Sequence, residues 1–378
     1  MIKVLHIQET LGSGGVERLR LSLSKLLDKQ KFELKIVCTN FGGGIKEEIE
    51  ANGVEVISIG KFKGVFDIKN HLKIQKIISK FNPDIIHGAV FEGVTMASIN
   101  GYIKKVPIII IEETSDPKNR SWKGNLLMKF FAKLSNIVIG VSPGVMEYLH
   151  QTLNISKDKA ILINNGVRIP REVSMEETSE LNAKLGIQPN DVVIGSVGRM
   201  QMDEHKRFSD LITAFSTVSK SNTNTKLLLV GSGFELKNYQ LLTQKLDISD
   251  KVIFAGYQSD VDLYYKSMHI FALVSSYEAF GLVLAEAMLH KLPIIATKVG
   301  GMKYIVKDSE TGFLVNKYDV TAIAEKISKL SNDSKLRFNF GEKGFESAMN
   351  NYTEHIYVQN LVELYNYQML KKKCENDK

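Results

Sequence analysis

Short apolar runs alternate along this chain with longer amphipathic stretches, and the pattern continues through nearly its whole length. The runs at 2–8, 34–38, 54–59, 84–87, 107–111 and 137–141 predict strands, as do those at 192–197, 226–230, 252–255, 270–274, 293–297 and 312–315. Between them, apolar residues at helical spacing predict helices from about residue 16 and over 45–51, 68–81, 92–103 and 122–135. Strands that are apolar on both faces need helices on both faces, which implies parallel sheets. The pattern breaks at 168–190, a polar stretch with Pro170, Pro189 and an acidic run from Glu172 to Glu180, read as a linker holding a short helix at 176–185. The chain is therefore expected to be α/β, with a Rossmann-like doubly wound domain at 1–167 and a second at 191–352. A last helix is expected at 353–372, ahead of a solvated polar tail.

One stretch stands out against this background. Residues 275–289 carry Glu278 and Glu286, eight positions apart, with Gly281 between them. Glycine is a poor helix-interior residue, so Glu278 is placed in a loop and the helix begins near 280–282. From there the helix is apolar on nearly every side, which predicts burial, and Glu286 is the one charge in its middle. A buried charge must be paired, neutralised or in contact with a ligand. Both readings are open at this point: an internal salt bridge, or a site where two carboxylates grip hydroxyls and the amides of the helix start face an anion.

Two further stretches carry candidate chemistry. The turn Gly12-Ser13-Gly14-Gly15 joins the first strand to its helix, either as a close-approach loop for a ligand or as a tight connection. No small residue occupies the third-glycine position of G-x-G-x-x-G, so no nicotinamide-dinucleotide site is read there. The segment 118–134 holds five basic and no acidic residues, interleaved with Trp122, Leu126, Leu127, Phe130 and Phe131. It suits an anionic membrane surface. It equally suits a domain helix with its aromatic face in the core and its lysines in water, the reading favoured by the need of every helix here for a buried face.

At 378 residues, 44% hydrophobic and 24% charged, the composition is that of an ordinary globular protein of two domains. Cys38 and Cys374 form no framework, and no His/Cys cluster has metal-ligand spacing, so no metal is expected. No signal-peptide pattern opens the chain and no run is long enough to span a bilayer, which gives a cytoplasmic expectation. The net charge of +7 is spread over both halves and no nucleic-acid module is present, which argues against nucleic acid.

With these residues in view, the second half resembles the retaining glycosyltransferases of the GT-B fold, family 4. Glu278 to Glu286 looks like that family's E-x7-E motif. Gly198-Arg199, Lys206, Gly231-Ser232-Gly233, the strand ending at Gly256-Tyr257, and Gly300-Gly301 follow in the family's order. In the first half, Gly14-Gly15-Val16-Glu17-Arg18, Pro83 to His87 and Asn165-Gly166-Val167 are also similar.

The resemblance implies two Rossmann-like domains facing a cleft, with the final helix packing back on the first. It implies a nucleotide-sugar donor, a UDP-sugar, bound mainly by the second half, with no cofactor besides this co-substrate. The acceptor, a glycan or lipid-linked glycan of cell-surface polysaccharide assembly, would sit on the first half. Arg199 and Lys206 would neutralise the leaving diphosphate without a metal, since no D-x-D pair is apparent. Glu278 would hold the transferred sugar and Glu286 the ribose. The amides around Phe280, Gly281 and Leu282 would face phosphate or sugar. Gly14 and Gly15 would let backbone approach the diphosphate, with Gly231 and Tyr257 completing the donor site.

Three positions depart from the family pattern. Glu113 stands where a histidine is common, Ala89 replaces a further histidine after His87, and Tyr304 stands where a glutamate is frequent. For Glu113 a binding or proton-transfer role and a capping or ion-pair role are both open. A peripheral position on the inner face of the membrane through 118–134 stays open beside the favoured domain-helix reading. The alternatives are a GT-B nucleotide-sugar epimerase or hydrolase, and a non-catalytic two-domain small-molecule binding protein.

Overall fold

The computed structural model describes residues 1–12, 14–40, 44–115 and 120–376. Ser13, Gly42, Gly43 and the start of the basic segment at 118–119, all singled out above or adjoining such stretches, lie outside them. The chain forms two compact units, Met1–Gly166 with Thr353–Lys378, and Val167–Tyr352.

In the first unit the order is β1 (Ile2–Gln8), α1 (Gly15–Leu26), β2 (Phe32–Cys38), α2 (Ile45–Ala51), β3 (Glu55–Ser58), α3 (Ile68–Phe81), β4 (Ile85–Gly88) and α4 (Val90–Ile103). It continues with β5 (Ile108–Glu113), α5 (Trp122–Leu134), β6 (Ile137–Gly140), α6 (Pro143–Gln151) and β7 (Ala160–Leu162). The second unit begins with α7 (Met175–Leu185), β8 (Val192–Val197), α8 (Asp203–Lys206), α9 (Phe208–Ser221), β9 (Thr225–Val230), α10 (Leu236–Lys245) and β10 (Val252–Gly256). There follow α11 (Asp262–Lys266), β11 (Ile270–Leu273), α12 (Leu282–Leu289), β12 (Ile294–Thr297), α13 (Met302–Ile305), β13 (Gly312–Val315), α14 (Val320–Asn332) and α15 (Ser334–Asn351). The last helix, α16 (Glu354–Asn376), belongs to the first unit.

Both sheets are parallel throughout. Their orders are β3-β2-β1-β4-β5-β6-β7 and β10-β9-β8-β11-β12-β13. In each, the order reverses beside the first strand, between β1 and β4 and between β8 and β11. Alternate residues of a strand point to opposite faces. In the first unit Val4, Ile36, Ile85 and Ile110 pack under α1, α2 and α16, while Leu5, Ile7, Ile86 and Ile109 pack under α3 and α4. The α/β GT-B expectation holds for the architecture.

Residues 168–190, expected as a linker, are built into the second unit instead. Ser174 and Glu177 form a capping box at the start of α7. Arg171 ties this stretch to Asp260 at 2.6 Å and to Glu177 at 2.9 Å. A polar, proline-containing run reads as a linker because its ion-pair partner, Asp260, is distant in sequence.

β5 runs two residues beyond the apolar stretch, through Glu112 and Glu113. Glu112 is buried, and its neighbours explain why a strand tolerates it. Arg20 of α1 donates to Glu112 at 2.7 Å and, through its other nitrogen, to His6 Nε2 at 2.7 Å. His87 lies 3.1 Å from the second Glu112 oxygen, and its Nδ1 is 2.7 Å from the Tyr365 hydroxyl of α16. Arg20 must donate, so His6 Nε2 accepts and that imidazole is neutral. The network thereby fastens α16 to the face of the sheet that α1 also covers, with buried, mutually compensating charges.

Burial holds both histidines below their ordinary range. Burial would raise Glu112, but Arg20 and His87 outweigh it and hold the carboxyl at about 2. All three groups therefore bind protons less readily folded than unfolded, so acid favours the unfolded chain. Their contribution is complete above the unfolded histidine value of 6.5. The histidine part is lost as pH falls below that, and the Glu112 part between 4.5 and about 2. The urea midpoint is expected to fall steadily from neutral pH towards about pH 4; a flat profile would remove the network from the stability of this unit. Glu112→Ala, which leaves Arg20 buried and unpaired, is expected to cost about 3–5 kcal/mol in urea unfolding.

Candidate functional site

In open parallel sheets, ligands bind at the carboxyl ends of strands where the strand order reverses. In the second unit that place is between β8 and β11, and the loops following β8, β9, β11 and β12 are bonded to one another there. Gly198 donates its amide to Val230 O at 3.0 Å, and Met200 to Ser232 O at 2.9 Å. Ser276 donates to His205 O at 2.9 Å, and Gly301 to Glu278 O at 3.0 Å. Gly231 sits between two of these loops with φ +139°, and a Cβ there would lie 1.9 Å from Gly198 O. Only glycine satisfies both the dihedral and the space.

These bonds bring Lys206 and Glu278 together. Lys206 ends α8, a single turn pinned by Asp203, which accepts from Ser209 N at 3.0 Å and from the Tyr239 hydroxyl at 2.9 Å. From there Lys206 Nζ reaches Glu278 Oε2 at 2.6 Å. Both side chains are about one-sixth exposed, at 16% and 17%, so the pair faces an opening and is not sealed in the core. An ammonium has three donors, and this contact uses one. His205, which sequence reasoning passed over, lies 3.8 Å from the same oxygen and stacks on Tyr277 with ring centroids 4.2 Å apart. Half-burial, followed by the Lys206 charge, lowers its pKa. Nothing in the run 204–207 signals that His205 faces Glu278, because the contact spans more than 70 residues. Arg199 is exposed beside them.

Gly281 has φ +101° and caps α12, which starts at Leu282. The expectation that this helix is buried all round needs correction. Leu284, Ala285, Ala287, Met288 and Leu289 are buried, but Leu282, Val283, Glu286 and His290 form a half-buried stripe. That follows from helical spacing, since 282, 286 and 290 lie on one face. Among the described residues Glu286 has no salt bridge, but it is not bare: it accepts from the Tyr265 hydroxyl at 2.8 Å. Phe280 is buried against Tyr352, while Tyr257, after β10, is 60% exposed.

In the first unit, Gly14 caps α1 and Gly15 opens it. Thr10 donates to the Glu17 carboxylate at 3.0 Å, and a Cβ on Gly14 would overlap that carboxylate. Glu113 is committed to a local ion pair. Arg120 binds both its oxygens, with one contact at 3.0 Å, and Ser115 donates its hydroxyl at 2.6 Å and its amide at 3.1 Å. The ion-pair reading of Glu113 is the one this geometry displays. Among the described residues, His6, His87 and Glu112 are close enough to hold a metal ion. The Arg20 guanidinium already lies among them, so this trio fits a buried cation of the protein and not a metal. Tyr304 carries the Lys303 ammonium 4.7 Å over its ring.

The family model described as Glycosyltransferase Family 4 matches residues 13–171, and that described as Glycosyl transferases group 1 matches 177–347. The capsular polysaccharide biosynthesis glycosyltransferase CapM of Staphylococcus aureus is 28% identical over 360 residues, 90% of this chain and 92% of that one. The N-acetyl-alpha-D-glucosaminyl L-malate synthase of Bacillus anthracis is 28% identical over 310 residues, 79% of each. Among solved structures, Anabaena HepE in complex with UDP-glucose superposes with a TM-score of 0.86 at 19% identity, covering 97% of this chain and all of that one.

Gly231→Ala is expected to destabilise the second unit by more than about 1 kcal/mol, since a positive φ and a backbone clash coincide. A melting temperature equal to the parent's would show that the β8 and β9 loops can separate freely.

Proposed function

Since the chain belongs to the family 4-like glycosyltransferases of the GT-B fold, we propose that it moves a sugar from a UDP-sugar to a glycan or lipid-linked glycan acceptor, with retention of configuration. The observation that carries this reading is the part-exposed Lys206–Glu278 pair in the loops at the strand-order reversal of the second unit, with the Arg199 charge acting on the neighbouring His205. As the bond from the anomeric carbon to the diphosphate breaks, negative charge gathers on the leaving oxygens. Cations fixed there lower the transition state more than the ground state. Lys206, with donors to spare, and Arg199 supply them, and the first amides of α12 add an oriented dipole. Glu278 steadies Lys206 and accepts from sugar hydroxyls, while Glu286 accepts from the ribose.

The acceptor hydroxyl attacks on the face the diphosphate leaves. Its proton passes to the departing phosphate oxygen, so no enzyme nucleophile is needed and no metal is assigned. Glu113, held by Arg120, is given no proton-transfer role. Acceptor binding is assigned to the first unit, and the CapM name supports a cell-surface polysaccharide product.

The surface of α5 supports a membrane-borne acceptor. Met128, Phe131 and Ala132 face the core, yet Trp122, Leu126 and Phe130 are exposed by 71%, 61% and 48%. These three recur every fourth residue on the outer face, flanked by Lys123, Lys129 and Lys133 with no acidic residue in the helix. An apolar stripe bordered by cations suits anionic headgroups. No helix among the described residues is long and apolar enough to cross a membrane. The malate synthase relative favours a second reading, a small soluble hydroxy-acid acceptor, which needs no such surface.

UDP at 100 times its dissociation constant is expected to stabilise the protein by about 2.7 kcal/mol in thermal melts, ahead of GDP and ADP; no shift with any nucleotide would sink the donor-site reading. Turnover of UDP-sugar without acceptor would favour the epimerase or hydrolase. EDTA is expected to leave transfer unchanged. Serine at positions 122, 126 and 130 together should abolish co-sedimentation with anionic vesicles, and binding that ignores both lipid charge and these changes would disconnect α5 from the membrane.

A further inference from the structure

Behind Glu286 stands a buried chain of polar contacts that the proposed chemistry has not used. Tyr265 of α11 is fully buried, and its hydroxyl donates to Glu286 Oε2 at 2.8 Å. Its ring is stacked on His290 with centroids 4.7 Å apart and also meets Phe271 at 5.6 Å. His290 in turn lies 2.7 Å, through Nδ1, from the Glu286 backbone oxygen and 3.3 Å, through Nε2, from Asp262. Asp262 is anchored by Arg168 at 2.7 Å and by the Arg171 amide at 3.0 Å. Asp262, His290 and Tyr265 thus form a connected set of contacts beside α12, ending at one oxygen of one carboxylate.

A glutamate on a half-exposed helical stripe has three rotatable bonds and ordinarily samples several rotamers. Here Oε2 is fixed from behind, while Oε1 has no hydrogen bond among the described residues. Holding one oxygen restricts the rotamers of the carboxylate and leaves its second oxygen available to a ligand. We propose that Tyr265 is a positioning residue that presets the Glu286 carboxylate for a vicinal diol, and that it thereby gives the second unit its preference for ribonucleotides over deoxyribonucleotides. This rests on the assignment of Glu286 to the ribose. Tyr265 touches no substrate in this scheme; it acts through Glu286, with His290 behind it.

The test compares UDP with 2′-deoxy-UDP and 3′-deoxy-UDP by calorimetric titration of the full chain. The parent is expected to bind UDP at least tenfold tighter than either deoxy form, on the order of one hydrogen bond to a charged group. Tyr265→Phe keeps the ring and removes only the hydroxyl. It is expected to weaken UDP by about tenfold and the deoxy nucleotides hardly at all, so the preference collapses. A merely structural tyrosine would weaken all three alike, and that outcome overturns the proposal. His290→Ala leaves Tyr265 and Glu286 in place but removes the ring behind the tyrosine, and it should reduce the ratio in the same direction even if Tyr265→Phe folds poorly. If both variants keep the parental ratio, the proposal fails while the ribose assignment stands. A parent that binds UDP without any ribose preference would overturn the assignment itself, and the proposal with it.

Discussion

Parallel strands can follow one another only through a crossover that returns the chain along a face of the sheet. Every loop leaving a strand in the forward direction therefore emerges at the same edge. In this chain that constraint operates twice, and most of the candidate chemistry follows from it. Gly14 and Gly15 follow β1, Arg199 follows β8, Glu278 follows β11 and Gly301 follows β12. In the second unit the reversal of strand order beside β8 opens the place where side chains from non-adjacent parts of the chain can meet. The loops then bond to one another through backbone, which is why Lys206 and Glu278 are 2.6 Å apart although 72 residues separate them.

Four glutamates show how burial and partners sort acids into different tasks. Glu112 is fully buried, and its charge is tolerated because Arg20 and His87 surround it. Such a carboxylate has no capacity left for a ligand and serves to fasten α16 to the sheet. Glu113, one residue on, points the other way and is closed off by Arg120. Glu278 and Glu286 are partnered but partly open, held by Lys206 in one case and by Tyr265 in the other. A carboxylate held on one side and open on the other is oriented for a ligand at little further entropic cost.

Much of the architecture was legible in the hydrophobic pattern. The strands at 2–8, 192–197 and 312–315 and the helices at 45–51 and 68–81 fall where the periodicity places them. Local spacing carries that information. The ends of elements were less legible where a tertiary partner decides them: β5 extends through Glu112 because Arg20 and His87 wait for it. The stretch 168–190 looked like a linker because the ion pairs that hold it involve Asp260 and Asp262. The outer stripe of α5 was misjudged for a related reason. Periodicity shows that a helix has an apolar face, but it does not show that a second apolar stripe will be left outside.

The sequence by itself determined two doubly wound halves, the loop position of Glu278, the helical position of Glu286 and the glycines that let neighbouring loops approach. Those are consequences of local preference and period, which short windows contain. Only the tertiary structure decided who faces whom: His205 and Lys206 beside Glu278, Tyr265 and His290 behind Glu286, Arg20 inside the first sheet. Such pairings depend on loops brought together by strand order and on distances fixed by packing. No window of the sequence is long enough to hold them.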